Sequence, residues 1–125
     1  MKIWFDGGCR PNPGKIVTAV VAGGHVRLRT DHGAGDNNDA EWLALLDALA
    51  LARGLGVKDL VLLGDSAMVV DQARGRARRV PARFRAFLAQ FRAGVDGFDR
   101  VRVRHVGRAQ NLAGIALDKD GAWPG

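Results

Sequence analysis

Apolar positions along this chain fall into strand-length runs and helical stripes separated by clusters of glycine, proline and asparagine. Ile3-Trp4-Phe5 predicts a short strand that Asp6-Gly7-Gly8 should stop, and Cys9 to Gly14 is dense in turn residues. Ile16 to Ala22 is a continuous apolar run, expected to be buried on both faces, and Gly23-Gly24 closes it. Val26 to Arg29 alternates as a half-exposed edge strand should. Three strands joined by short turns predict an antiparallel meander.

The period then changes. Trp42, Leu45, Leu46, Leu49 and Ala52 follow a 3.6-residue repeat, closed by Gly54 and Gly56. Leu60 to Leu63 predicts another strand, ended by Gly64-Asp65, and Ser66 to Ala73 a short helix. Beyond an arginine-rich connection and Pro81, the residues Phe84, Phe87, Leu88 and Phe91 share one helical stripe. Val101, Val103 and His105 alternate with Arg100, Arg102 and Arg104 as a strand, and Leu112 to Asp118 predicts a last short helix. The order β-β-β-α-β-α-α-β-α implies an α/β fold, a mixed sheet covered by helices. Residues 1–125 are expected to form one domain with its own apolar core.

Charge sharpens this picture. The formal net charge is +6, carried largely by arginine, which suits planar, bidentate contact with phosphate. A lone Cys9 makes no internal disulfide, and no apolar run approaches the ~20 residues of a membrane helix. A cytoplasmic protein with no membrane contact and no obligate protein partner is the expectation.

Against this basic background, Asp6, Glu41 and Asp65 sit where elements change character. Ionised carboxylates brought together repel one another, so such a group makes sense around a divalent cation, and hard oxygen ligands suit Mg²⁺ or Mn²⁺. A basic surface around an acidic metal pocket points to a phosphodiester polymer. Each residue also has a structural reading. Asp6 could serve the turn, Asn38 and Glu41 are spaced as a capping box, and Asp65 could cap the helix after it. Cys9 reads as a packed or loop thiol, His25 and His32 as loop residues, and Trp4 and Trp42 as core; Trp123 lies in the tail.

Four motifs in order resolve the ambiguity. "DGGCRPNPG" runs from Asp6 to Gly14, paired asparagines open a helix bearing a glutamate (Asn37, Asn38, Glu41), Asp65-Ser66 follows an apolar strand, and His105 at a strand end precedes Asn111. Over nearly its full length the chain resembles the type 1 ribonuclease H family. The resemblance implies a five-stranded mixed sheet in the order 3-2-1-4-5 and hydrolysis of the RNA strand of RNA–DNA hybrids with two divalent ions, leaving 5′-phosphate and 3′-hydroxyl ends. Asp6 would bridge the ions, with Glu41 and Asp65 on either side and His105 assisting proton transfer or product release. Asn12, Asn37, Asn38, Ser66, Asn111 and the main chain of Gly7, Gly8 and Cys9 would contact substrate. Double-stranded RNA is a further candidate ligand.

The chain departs from the family pattern in places. The fourth acidic position, four residues after Asn111, holds Ile115; Asp118, one helical turn on, is expected to replace it as a catalytic metal ligand. Asp36 stands where a threonine is common, and Ala67 where a polar residue is. Without a long basic insertion, Arg74, Arg76, Arg78, Arg79 and Arg83 are expected to offer a shorter substitute. The loss at position 115 motivates an alternative: a catalytically weakened module that binds hybrids without cleaving them.

Overall fold

Alternation along β1 (Lys2–Cys9) sets the two sides of the molecule. Ile3 and Phe5 face the main core, while Trp4 packs into a second, smaller cluster on the other side. The computed structural model describes residues 1–119, so Trp123 lies outside the described residues. β1 pairs antiparallel with β2 (Gly14–Ala22), and β2 with β3 (His25–Arg29). β5 (Asp59–Gly64) lies parallel to β1, and β6 (Arg100–His105) parallel to β5. The sheet order is β3-β2-β1-β5-β6, the predicted order of the five long strands. The unpredicted β4 (Ala34–Gly35) adds two residues against the start of β2.

Helix α1 (Asn37–Gly54) crosses the sheet over β1 and β2, burying Trp42, Ala44, Leu45, Ala48, Leu49 and Ala52. Trp42 is fully buried, and its Nε1–H donates to Gln72 at 2.8 Å. Its ring stacks on Phe87 and meets Phe91 edge-on, so the stripe of α3 (Ala82–Gly94) closes the same core. Truncating a side chain so placed costs about 3–5 kcal/mol. The short α2 (Ala67–Ala73) completes this layer. On the opposite face, Ala113, Ala116 and Leu117 of α4 (Leu112–Lys119) cover Val17, Ala19 and Val21.

Two expectations need correction here. Asp6-Gly7-Gly8 does not end β1, which runs on to Cys9 paired with Ile16 of β2. Its parallel pairing with β5 stops at Trp4, however, so β1 projects beyond its neighbour on that side. The glycine at position 7 answers a close approach rather than a turn, because any Cβ there would collide with the Ala40 carbonyl of α1. The helix cap also lies elsewhere. Asp36 accepts from the Asp39 N–H at 2.9 Å, and Asp39 accepts from the Asp36 N–H at 3.0 Å, closing a capping box that leaves Asn38 and Glu41 out.

Candidate functional site

The projecting end of β1, the end of β5 and the first turns of α1 meet in one polar cleft. Asp6, Glu41 and Asp65 each bring a carboxylate oxygen there, all within 4.8 Å of one another. None is consumed by a cap: α1 is capped by Asp36, and α2 by Ser66, whose Oγ accepts from the Val69 N–H at 3.2 Å.

Glu41 is the most constrained of the three. Its Oε1 accepts from the Gly7 N–H at 3.0 Å, whereas its buried Oε2 has no hydrogen-bond donor among the described residues. Burial raises its pKa well above the usual carboxylate range, and the neighbouring Asp6 raises it further. Burial also raises Asp6, with Asp65 adding to the effect and Glu41 and Arg108 opposing it. Carboxylates this close repel one another when ionised, so their crowding favours positive charge placed among them. An unpartnered buried oxygen among three converging carboxylates is the donor set a hard divalent cation requires.

Asn111 orients the third carboxylate from beneath. It is fully buried; its Nδ2 donates to Asp65 Oδ2 and to the Phe5 carbonyl, both at 3.0 Å, and its Oδ1 accepts from the Ala113 N–H. The expectation that Asn111 contacts substrate is therefore corrected, since its polar atoms are taken up inside the protein. Gly114 lets α4 approach, as a Cβ there would sit 3.2 Å from Asp6 Oδ2.

Asp118 does not join the group. It pairs with Arg10 at 3.0 Å, both side chains about half exposed, and Ile115 at the fourth acidic position is exposed as well. Its carboxylate is held by Arg10 and lies outside the group of three, which corrects its assignment as a ligand.

The predicted substrate-facing residues divide. Asn37, Asn38, Ser66 and the Gly7–Cys9 main chain line the cleft. The amides of Gly7 and Cys9 are engaged, the latter donating to Asn37 Oδ1 at 2.8 Å, so neither is free for a ribose hydroxyl. Asn12 accepts from the Asn37 N–H at 3.1 Å, tying the β1–β2 loop to α1. The Cys9 thiol is buried and donates to the Gly35 carbonyl, as a packed thiol does. His105 is exposed, and its Nε2 lies 3.1 Å from the Asp65 carbonyl, which accepts. Arg83 pairs with Asp36 at 2.5 Å, holding that carboxyl below its usual range.

Sequence reasoning missed Arg10 and Arg108, which line the cleft. Arg108 had a signal in the sequence, lying between the two motif residues His105 and Asn111.

Topology and carboxylate cluster together define a ribonuclease H-like domain. A family model described as "Reverse transcriptase-like" matches residues 5–120. The ribonuclease HI of Halobacterium salinarum is 37% identical over 125 residues, covering 92% of this chain and 63% of that protein. The crystal structure of the Halobacterium salinarum type 1 enzyme superposes with a TM-score of 0.82 at 34% identity, covering 93% of this chain and 92% of that one. The N-terminal ribonuclease H domain of a Mycobacterium tuberculosis bifunctional protein gives 0.78 at 30%, covering 93% of both chains. A compost-derived type 1 enzyme, solved with an RNA/DNA hybrid, shares the fold at a TM-score of 0.75 and 24% identity, covering 89% of this chain and 88% of that one. This chain spans less than two-thirds of the curated archaeal relative and a third of the mycobacterial one, at 63% and 33% of their lengths. It belongs to the type 1 ribonuclease H family.

Proposed function

We propose that the chain is an endonuclease that hydrolyses the RNA strand of RNA–DNA hybrids. The observation that carries this reading is the convergence of Asp6, Glu41 and Asp65 around the unpartnered Glu41 Oε2. Two bound divalent cations, Mg²⁺ or Mn²⁺, would supply activation of a water nucleophile and neutralisation of charge on the leaving 3′-oxygen, giving 5′-phosphate and 3′-hydroxyl ends.

The chain's own residues supply position. Asp6, on the projecting strand, would be the shared ligand; Glu41 would offer Oε2, because Gly7 holds Oε1, and Asp65 is held by Asn111. His105, exposed and held against the Asp65 carbonyl, stands beside the cluster where it would assist proton transfer or product release. Arg108 brings a positive charge to the Asp6 side of the cleft, where it can meet a phosphate. Asn37, Asn38 and Ser66 line the path of the sugar-phosphate backbone. Incubating an end-labelled hybrid with the protein and Mg²⁺ or Mn²⁺ should release RNA fragments bearing 5′-phosphates. Intact RNA in both metals would remove the enzymatic reading.

One observation favours a second reading. With Ile115 exposed and Asp118 paired to Arg10, the cleft keeps three carboxylates, so a weakened module that binds hybrid or double-stranded RNA is the alternative. Saturable binding without product in the same assay would select it.

A further inference from the structure

A second basic surface begins where the carboxylate cleft ends. β6 is the last strand of the sheet, and its outer edge has no neighbouring strand among the described residues. Beside it runs a groove of about 940 Å³ between the strand and the C-terminal turns of α2 and α3. Its walls carry Arg74, Arg92, Arg100, Arg102 and Arg104 against the single acid Asp99. Arg102 leans on Asp59 at 3.3 Å, while the other four arginines are exposed.

Position gives this charge a direction. Asp99 precedes β6, at the end remote from the cleft, and His105 closes the opposite end. His105 lines the groove and also bonds the main-chain carbonyl of Asp65, so the groove ends against a residue that carries one of the three cleft carboxylates. Neither phenylalanine of the groove offers a free face for stacking bases: Phe91 is buried, and Phe98 lies under the Arg53 guanidinium. Contact is thus through arginine, whose fork matches phosphate.

We infer that the β6 groove is a track for the phosphate backbone of the hybrid beyond the cleavage point. The inference rests on the nuclease reading and extends it from one phosphodiester to a length of duplex. Six residues of β6 span about 20 Å at ~3.3 Å each, the length of roughly six base pairs. The track reads no base edges and adds affinity without sequence preference.

The test compares two labelled hybrids sharing one cleavage site, a hairpin-closed duplex of about 6 base pairs and one extended by about 10 more, which the track can hold. Binding is followed by fluorescence anisotropy in EDTA, for the wild type and for the triple variant Arg92→Ala/Arg100→Ala/Arg104→Ala. Losing three phosphate contacts should flatten the slope of log K against log salt by ~2–3 for the long hybrid and weaken it about tenfold, with the short one unmoved. The triple lysine variant should restore most of the loss, which separates charge from misfolding. Equal losses on both hybrids, or none on either, would overturn the track. So would unchanged hybrid binding coupled with lost affinity for a polyglutamate peptide, which would assign the groove to an acidic protein segment. The two readings fail separately. Wild-type protein that binds both hybrids yet cuts neither in Mg²⁺ or Mn²⁺ ends the nuclease proposal, whereas cleavage of both with an unaltered triple variant ends this one.

Discussion

Helix α1 carries two carboxylates with little exposure, and they live in opposite conditions. Asp47 is satisfied on every side. It accepts from Thr18 Oγ1 at 2.7 Å and from Arg29 at 2.8 Å, and it meets His32 Nε2 at 2.7 Å. Glu41, nearly two turns earlier, has one oxygen held and the other without a donor, beside two more carboxylates. Asp47 ties α1 to β2 and β3 and to the segment after them; Glu41 works against the metal-free fold and is kept in place by it. Burial of an acid is therefore uninformative until its partners are counted, and the region lacking them is where a cation belongs.

Substitution at the unsatisfied pole should produce the largest change. Asp6→Asn or Asp65→Asn is expected to lower hybrid cleavage by about a thousandfold or more, the scale of several kcal/mol of lost charge stabilisation. Steady-state rates near the wild-type value would dissolve the contrast. At the satisfied pole, Asp47→Ala should leave the cleavage rate of the folded protein alone but remove about 1–3 kcal/mol of stability, because Thr18, Arg29 and His32 all lose the partner that Asp47 gives them. Urea unfolding measures this, and a midpoint shift within error would show that the cluster contributes nothing net.

Acidity sharpens the comparison further. Glu41 and Asp6 have raised pKa values in the folded state, so they bind protons more tightly folded than unfolded. Their contribution is therefore fully present below the ordinary carboxylate range and lost as pH rises through the raised values. In EDTA, the stability difference Glu41→Gln minus wild type should be positive at neutral pH and shrink on acidification. A difference independent of pH would mean that Glu41 is not held under this pressure. The smallest effect is expected at Asp118→Asn, which disturbs only a half-exposed pair with Arg10 worth about 0–1 kcal/mol. A large loss of Mn²⁺ affinity there, read by calorimetry, would return Asp118 to the site.

Much of this could be read before the coordinates. The long elements and their order were legible because apolar runs and glycine or proline breaks coincide with real boundaries. The three cluster acids were legible because charged residues interrupt or flank apolar runs there, although Asp6 lies within β1 and not at its end. What escaped was whatever depends on a neighbour distant in sequence. Gly7 reads as a strand breaker, yet β1 continues because β2 pairs with it throughout. Asn38 and Glu41 have capping-box spacing, but Asp36 and Asp39 win because they match the helix start. His32, read as a loop residue, meets Asp47 only because the chain folds back onto α1. Asn111 looks polar and available in the sequence; its burial follows from Phe5, more than a hundred residues away. Asp118 was placed by helical phase alone, which does not show that Arg10 reaches it first.

The crowding of position 7 against the Ala40 carbonyl reaches beyond local geometry. Because the spacing between Asp6 and Glu41 is set by two backbones in contact, repair of a Gly7→Ala defect belongs in residues that let α1 retreat, not in the acids. Suppressor selection started from Gly7→Ala should therefore yield changes along the α1 underside, with the cleft itself untouched.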